Sequence, residues 1–202
     1  PHFRNCTFYG EYPIARLELD DPDFPGNAEV TAFNPFIPLD SDSSSLPVAM
    51  FSITLRNTTS DKLDYTVSAV LRNTRVKSVN TAVSQNRLSA IFLDSPDNNA
   101  ANTGSHDMTI ATDETENVHL EEYWFRGIWY DNIETYWREL CEPGFPEARH
   151  YDTPGSNDHS TVFVRRSVPA GGETTIRFVI SWNCPLFDNG FCPENNEDGS
   201  PK

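Results

Sequence analysis

No run of apolar residues in this chain approaches the ~20 that a membrane-spanning helix requires. Positive charge is scarce as well: 15 lysines and arginines stand against 30 aspartates and glutamates, a formal net charge of -15 in 202 residues. Surfaces that hold nucleic-acid phosphates concentrate lysine and arginine, so no nucleic-acid partner is expected. Attraction to anionic lipid headgroups is disfavoured for the same reason, and no membrane partner is expected. A neutral substrate such as a sugar is compatible with the charge, and so is plain solubility. Cysteine is too sparse for a disulfide scaffold: Cys6, Cys141, Cys184 and Cys192 are the whole supply. Only Cys184 and Cys192 are close in sequence, and a bridge there would clip a proline-rich terminal loop. In a reducing, cytoplasmic compartment both are free thiols, the reading preferred here because isolated cysteines act as small hydrophobes.

Motifs that carry chemistry are missing too. There is no G-x-S-x-G, no G-x-G-x-x-G and no Walker A sequence, which leaves nucleophile-elbow and phosphate-cradling chemistry without support. His2, His106, His119, His150 and His159 show no HExxH spacing, and the cysteines form no C-x-x-C. No metal site and no cofactor are expected. Asp40-Ser41-Asp42-Ser43-Ser44 has the oxygen-rich start of a calcium loop, but Ser45 and Phe51 stand where an EF-hand needs Gly and Glu. A polar surface turn accounts for it. Asn5-Cys6-Thr7 and Asn57-Thr58-Thr59 fit the glycosylation triplet, which matters only in a secreted eukaryotic setting. The chain opens on Pro1 rather than Met, so a trimmed or processed start is expected and the lack of a leader is uninformative.

What the chain does have is a period of two. Ala15, Leu17 and Leu19 alternate with Arg16 and Glu18, and Ala49, Phe51, Ile53 and Leu55 with Met50, Ser52, Thr54 and Arg56. Leu63, Tyr65, Val67, Ala69 and Leu71 make the clearest half-buried strand. The turn-forming cluster Asn57–Lys62 between the last two predicts an antiparallel hairpin. Further strands are predicted at 30–36, 87–93, 108–112, 118–125, 161–168 and 174–182. Short strands punctuated by Asn, Asp, Pro and Gly predict a mainly β, antiparallel sandwich, and a chain of this length fits one domain over 1–202. One segment departs from the period. Ile133, Tyr136, Trp137 and Leu140 recur at helical spacing, which predicts one short helix near 131–140, capped by Asp131 and stopped by Pro143-Gly144. Three stretches, 94–106, 150–159 and 184–202, are poor in apolar side chains and are expected to be weakly ordered, with 186–202 a flexible tail.

Several fragments, in order, resemble one family. They are Phe8-Tyr9-Gly10-Glu11-Tyr12-Pro13, Phe33–Asn57 with its Asn34-Pro35-Phe36-Ile37-Pro38-Leu39 and Leu46-Pro47-Val48-Ala49-Met50-Phe51, Asn86-Arg87-Leu88, Met108–Asp113, Glu121–Gly127, and Phe178-Val179-Ile180-Ser181-Trp182-Asn183. Together they are similar to the β-sandwich that precedes the catalytic barrel in glycoside hydrolase family 116, the β-glucosidases that include the non-lysosomal glucosylceramidase. The resemblance implies a supersandwich-like fold and a parent enzyme that is a retaining β-glycosidase. Its Glu nucleophile and Asp acid/base would sit on an (α/α)6 barrel. It also implies that strands preceding the segment at Pro1–Tyr12 are missing, leaving the sandwich incomplete at its N-terminus. No residue of this chain matches either catalytic motif, so no catalytic residue is assigned. The implied partner is the catalytic domain of the same protein.

Two sets of residues are candidates for sites of their own. Asp113, Glu114, Glu116, Glu121 and Glu122 supply carboxylates, but neighbours on a strand point to opposite faces, so Glu121 and Glu122 are not expected to oppose each other. Solvated charge is the preferred reading for them. The aromatic run Tyr123-Trp124-Phe125-Arg126-Gly127-Ile128-Trp129-Tyr130 suits the apolar C–H faces of a sugar, with Tyr123, Trp124, Trp129 and Tyr130 as candidate substrate-binding rings. Core packing explains such rings equally, and is preferred. A free-standing carbohydrate-binding module is the alternative to a supporting domain, and an adhesion sandwich with protein partners is a weaker third.

Overall fold

The computed structural model describes residues 2–99, 101, 104–186 and 196. Its strands are β1 (Asn5–Glu11), β2 (Ile14–Asp20), β3 (Asn27–Phe33), β4 (Val48–Arg56), β5 (Leu63–Arg72), β6 (Val79–Gln85), β7 (Leu88–Asp94), β8 (Asp107–Thr112), β9 (Val118–Glu121), β10 (His159–Val168) and β11 (Glu173–Asn183). Helix α1 (Ser41–Ser44) is one turn between β3 and β4, and α2 (Asp131–Cys141) follows β9. Eight strands form one sheet in the order β1-β2-β3-β4-β11-β8-β7-β6, and three form a second in the order β5-β10-β9. Every pairing is antiparallel. This is the mainly β antiparallel sandwich expected from the alternation, with the expected helix near 131–140.

Register turns the alternation into a core, because directly paired residues share a face. Ile53 lies opposite Ile176, Ile180 opposite Ile110, and Ile110 opposite Ile91, so the large sheet carries an apolar stripe on its inner side. Val162 and Val164 of β10 close onto that stripe beside Leu93 and Phe178, all of them essentially inaccessible. Each such side chain contributes about 1.5–3 kcal/mol of burial free energy. A second cluster, Ala28, Leu55, Tyr65 and Val168, forms where β3 and β4 meet β5. Three strands spaced about 4.8 Å apart cannot cover eight. Phe8 of β1 shares the inner face with Leu17, Val30 and Ile53 through its register, yet remains 64% exposed.

The predicted hairpin between β4 and β5 does not form. β4 pairs with β3 and β11, whereas β5 pairs with β10, so the turn at 57–62 carries the chain from one sheet to the other. Asn57 explains the change of sheet. Its buried amide donates toward the carbonyls of Asp61, Val168 and Pro169 at 2.7, 3.0 and 3.1 Å, fixing the corner against the end of β10. The same burial withdraws Asn57 as a glycosylation acceptor.

Helix α2 starts and stops differently from expectation at one end only. Tyr130, not Asp131, is the N-cap residue; it lies in the left-handed region at φ 70 and offers no side-chain cap. At the other end Glu142 is extended, as a residue before proline prefers, and the helix ends at Cys141. The stretches 94–106 and 150–159 are better tied than their composition suggests, within the described residues. Asn98 Nδ2 donates to the His106 carbonyl at 2.9 Å, and Ser78 and Gly155 exchange backbone hydrogen bonds at 3.0 and 3.1 Å. Short polar side chains supply the partners that apolar burial does not. The tail expected over 186–202 lies outside the described residues, except for Leu186 and Asn196, and Cys192 lies outside them too. Cys6, Cys141 and Cys184 are free, exposed thiols. No helix among the described residues is long and apolar enough to cross a membrane.

Candidate functional site

The aromatic run after β9 divides into an inner and an outer half. Tyr123 and Trp124 are buried, at 2% and 9% exposure. The Tyr123 hydroxyl accepts from the Asn80 backbone N–H at 2.8 Å, and its ring stands edge-on to Tyr151. Trp124 Nε1 donates to Thr161 Oγ1 at 2.7 Å, and its ring is stacked between Tyr136 of α2, 3.9 Å away, and His159, 4.6 Å away. These two rings therefore join α2 and the 150–159 stretch to the small sheet and have no free face for a sugar. Arg126 completes the inner half. Its guanidinium lies 4.1 Å over the Tyr151 ring and donates to both Asp158 carboxylate oxygens at 2.9 and 2.8 Å.

Trp129 and Tyr130 belong to the outer half, at 88% and 80% exposure. Both hold positive backbone angles, φ 56 and φ 70. Bulky side chains rarely adopt this region, and each costs on the order of 1–3 kcal/mol there. Two consecutive strained aromatics facing solvent on the lead-in to α2 are thus the surface remnant of the four candidate rings. Ile133 and Trp137 of α2, also exposed, continue the apolar surface.

Among the carboxylates, Glu121 overturns its expected solvation. Its side chain is fully buried under α2, with Oε1 accepting from Arg149 Nη1 at 2.9 Å. Arg149 also binds both carboxylate oxygens of Glu139 on α2, so one guanidinium clamps β9 to the helix. Burial pushes the Glu121 carboxyl up from its ordinary 4.5 to about 7, against the pull of Arg149. Glu122, the first residue past β9, has different partners. It accepts from the Ala82 N–H at 2.7 Å and holds His150 at 2.9 Å, which raises the His150 pKa.

A raised Glu121 has a definite consequence. Between about pH 4.5 and 7 the folded chain keeps a proton that the unfolded chain has released. The stability contributed by this group is full below about 4.5, declines across the window and is gone once the pH passes about 7. Glutamine at this position does not titrate. The unfolding free energy of Glu121→Gln, relative to the parent sequence, is expected to improve by about 2 kcal/mol from pH 5 to pH 8. Urea denaturation at the two pH values measures it, and a pH-independent difference would show that Glu121 is ionised throughout.

Glycosidase chemistry needs two carboxyl groups facing an open cleft, about 5 Å apart for retention. Glu121 and Glu139 share an arginine instead of a cleft. A groove of about 350 Å³ on the outer face of the large sheet carries Glu18, Asp20 and Glu29. Arg16 pairs with Glu18 at 2.6 Å and Glu29 at 3.4 Å. A wider groove of about 680 Å³ lies between Trp137 and the segments His2–Arg4 and Asp21–Phe24. Its Asp21 accepts from the Asp23 and Arg4 backbone N–H groups, which hold its carboxyl below the usual range, the wrong direction for a general acid. Asp40 is used as the cap of α1, accepting from Ser43 N at 3.0 Å. No cluster of three or more potential metal ligands exists among the described residues.

The comparisons with known proteins enter against this geometry. A family model described as "beta-glucosidase 2, glycosyl-hydrolase family 116 N-term" matches residues 2–195. No curated protein matches the chain. A solved structure, a putative kojibiose phosphorylase from human microbiome, is similar at 8% identity and a TM-score of 0.42. The aligned region covers 84% of this chain and 18% of that one, so the chain spans less than a fifth of that protein's length.

Proposed function

The chain belongs to the family of glycosyl-hydrolase family 116 N-terminal domains, and from that premise we propose that it is a non-catalytic supporting sandwich. It docks on the catalytic domain of a β-glucosidase-type enzyme, stabilises it and shapes one wall of its surroundings. The described residues between 2 and 186 build the sandwich as one domain. The family match over nearly the whole chain carries the reading. It is supported by the fate of the acids. Of the described carboxylates, buried Glu121 is spent clamping α2 through Arg149 and buried Asp158 is held by Arg126, while in the grooves Glu18 and Glu29 pair with Arg16 and Asp21 is held ionised. The test is to express the parent reading frame with and without this domain. The catalytic part alone is expected to melt several degrees lower and to lose activity in proportion to folded protein. Unchanged melting and unchanged turnover would remove the supporting role.

A second reading rests on Trp129 and Tyr130. Their exposure and backbone strain favour a carbohydrate contact built from these two rings, without Tyr123 and Trp124. In that case a β-glucan or glucoside quenches tryptophan fluorescence saturably, and Trp129→Ser with Tyr130→Ser abolishes the response. Absence of any saturable change across a glycan panel leaves the supporting role alone.

A further inference from the structure

One end of the eight-stranded sheet is apolar and unusually well organised. The starts of β2 and β4 and the ends of β3 and β11 converge there: Ile14 pairs with Phe33, Phe33 with Met50, and Ser181 with Val48. The loop between β3 and β4 crowns it. Phe36 stands edge-on to Tyr12 at 5.3 Å, and Tyr12, Ile14, Phe36, Ile37 and Leu39 are all largely exposed. The loop is nevertheless fixed. Ser44 Oγ accepts from the Ile37 N–H at 2.9 Å and donates to the Ile37 carbonyl at 3.0 Å, while Asn34 Nδ2 donates to the Val48 carbonyl at 2.6 Å. Asp40 both caps α1 and bonds back to Ile37.

At the tip, Leu39 is wholly exposed and held at φ 67. A leucine in the left-handed region facing water costs the domain strain and apolar exposure together, with no internal contact in return. Rigid apolar side chains of this kind are what a binding surface gains from preorganisation, since little entropy is lost on docking. Exposed apolar side chains clustered in this way, and not scattered singly, mark an interaction site.

We propose that this end is the face on which the catalytic domain sits, with Ile37 and Leu39 as its central contacts. The inference rests on the supporting-domain reading and adds the surface. The occupant follows from the path of the chain. β11 runs out at this same end, where the Trp182 N–H bonds to the Pro47 carbonyl and Asn183 to Asp107. The end of β11 on this side favours the apolar end over α2 as the seat of a domain that follows an N-terminal domain. Exposed Glu11 and Asp42 at the rim select a partner face that is apolar at its centre and neutral or basic around it.

The test compares hydrogen exchange in this chain with exchange in the protein expressed from the full reading frame. Amides of 36–46 are expected to exchange at least tenfold more slowly in the full protein. Leu39→Asn, which suits a left-handed backbone, is expected to raise the denaturation midpoint of this chain while removing that protection in the full protein. Protection confined to 128–137 in a protein that does carry a catalytic domain overturns the surface and leaves the supporting role standing. Protection that appears in this chain alone as its concentration rises makes a second copy the occupant and overturns it as well. A reading frame without a catalytic domain overturns both.

Discussion

Arg149→Met is expected to destabilise the fold by about 3–5 kcal/mol near pH 8 and by clearly less near pH 5. Arg149 is the only cation bonded to Glu121 among the described residues, and it also neutralises Glu139. Removing it strands a carboxylate that is fully buried on β9 and already pushed up to about 7. Above that pH the carboxylate must either stay charged without a partner or take up a proton at a cost that grows with pH. At pH 5 it is neutral in the folded chain, and the variant loses mainly the tie between α2 and the small sheet. The sign follows from linkage, because the folded variant binds a proton that its unfolded state releases. Guanidinium unfolding at both pH values reads the difference. An equal loss at the two values would mean that the clamp works by packing and not by charge.

Phe163→Ala should be as costly, at about 3–5 kcal/mol, and should not depend on pH. Phe163 is 1% exposed in the middle of β10, on the outer side of the small sheet. His119, Phe145 and Tyr136 surround its ring at centroid distances of 5.8, 6.3 and 6.3 Å. Truncation leaves a cavity under α2 that three rings fixed on different elements cannot readily fill. Phe163→Leu, which keeps most of the volume, should cost well under half as much. Faster amide exchange in 131–141 should accompany the alanine variant. A loss below about 1 kcal/mol would mean that α2 is not packed on this ring.

The strands that could be read in advance were those whose inner residues are large and whose outer residues are polar. β5, with Leu63, Tyr65, Val67, Ala69 and Leu71, is the clearest case. β6 escaped notice because its inner side is Asn80, Ala82 and Ser84, and no alternation of polarity survives. Asn80 sits there for its hydrogen bonds, donating to the Glu122 carbonyl and to Ser160 Oγ, both at 2.9 Å, and such partners are visible only in three dimensions. The β4–β5 corner was misjudged for a related reason. A turn cluster between two amphipathic strands says that the chain reverses, but the deep bonds of Asn57 decide which sheet it enters.

Glu121 and the aromatic run teach the same point at the site. A glutamate at a strand end looks solvated until an arginine 28 residues away and a covering helix are placed on it. Eight residues rich in aromatics look like one platform until Asn80 and Thr161 claim Tyr123 and Trp124. Phe125, at 42% exposure, is the first ring of the run to face outward. The helix was legible in extent from Ile133, Tyr136, Trp137 and Leu140, but its stripe is only partly covered, and Ile133 and Trp137 remain at the surface.

Hydrolysis of an aryl β-glucoside, followed with the purified chain beside the protein from its full reading frame, decides whether these residues support chemistry or perform it. The full protein is predicted to release the aglycone and the chain alone to release none at any pH between 4 and 8. Turnover by the chain alone that disappears on replacing Glu121, Asp21 or another of its own acids would contradict the account at its root.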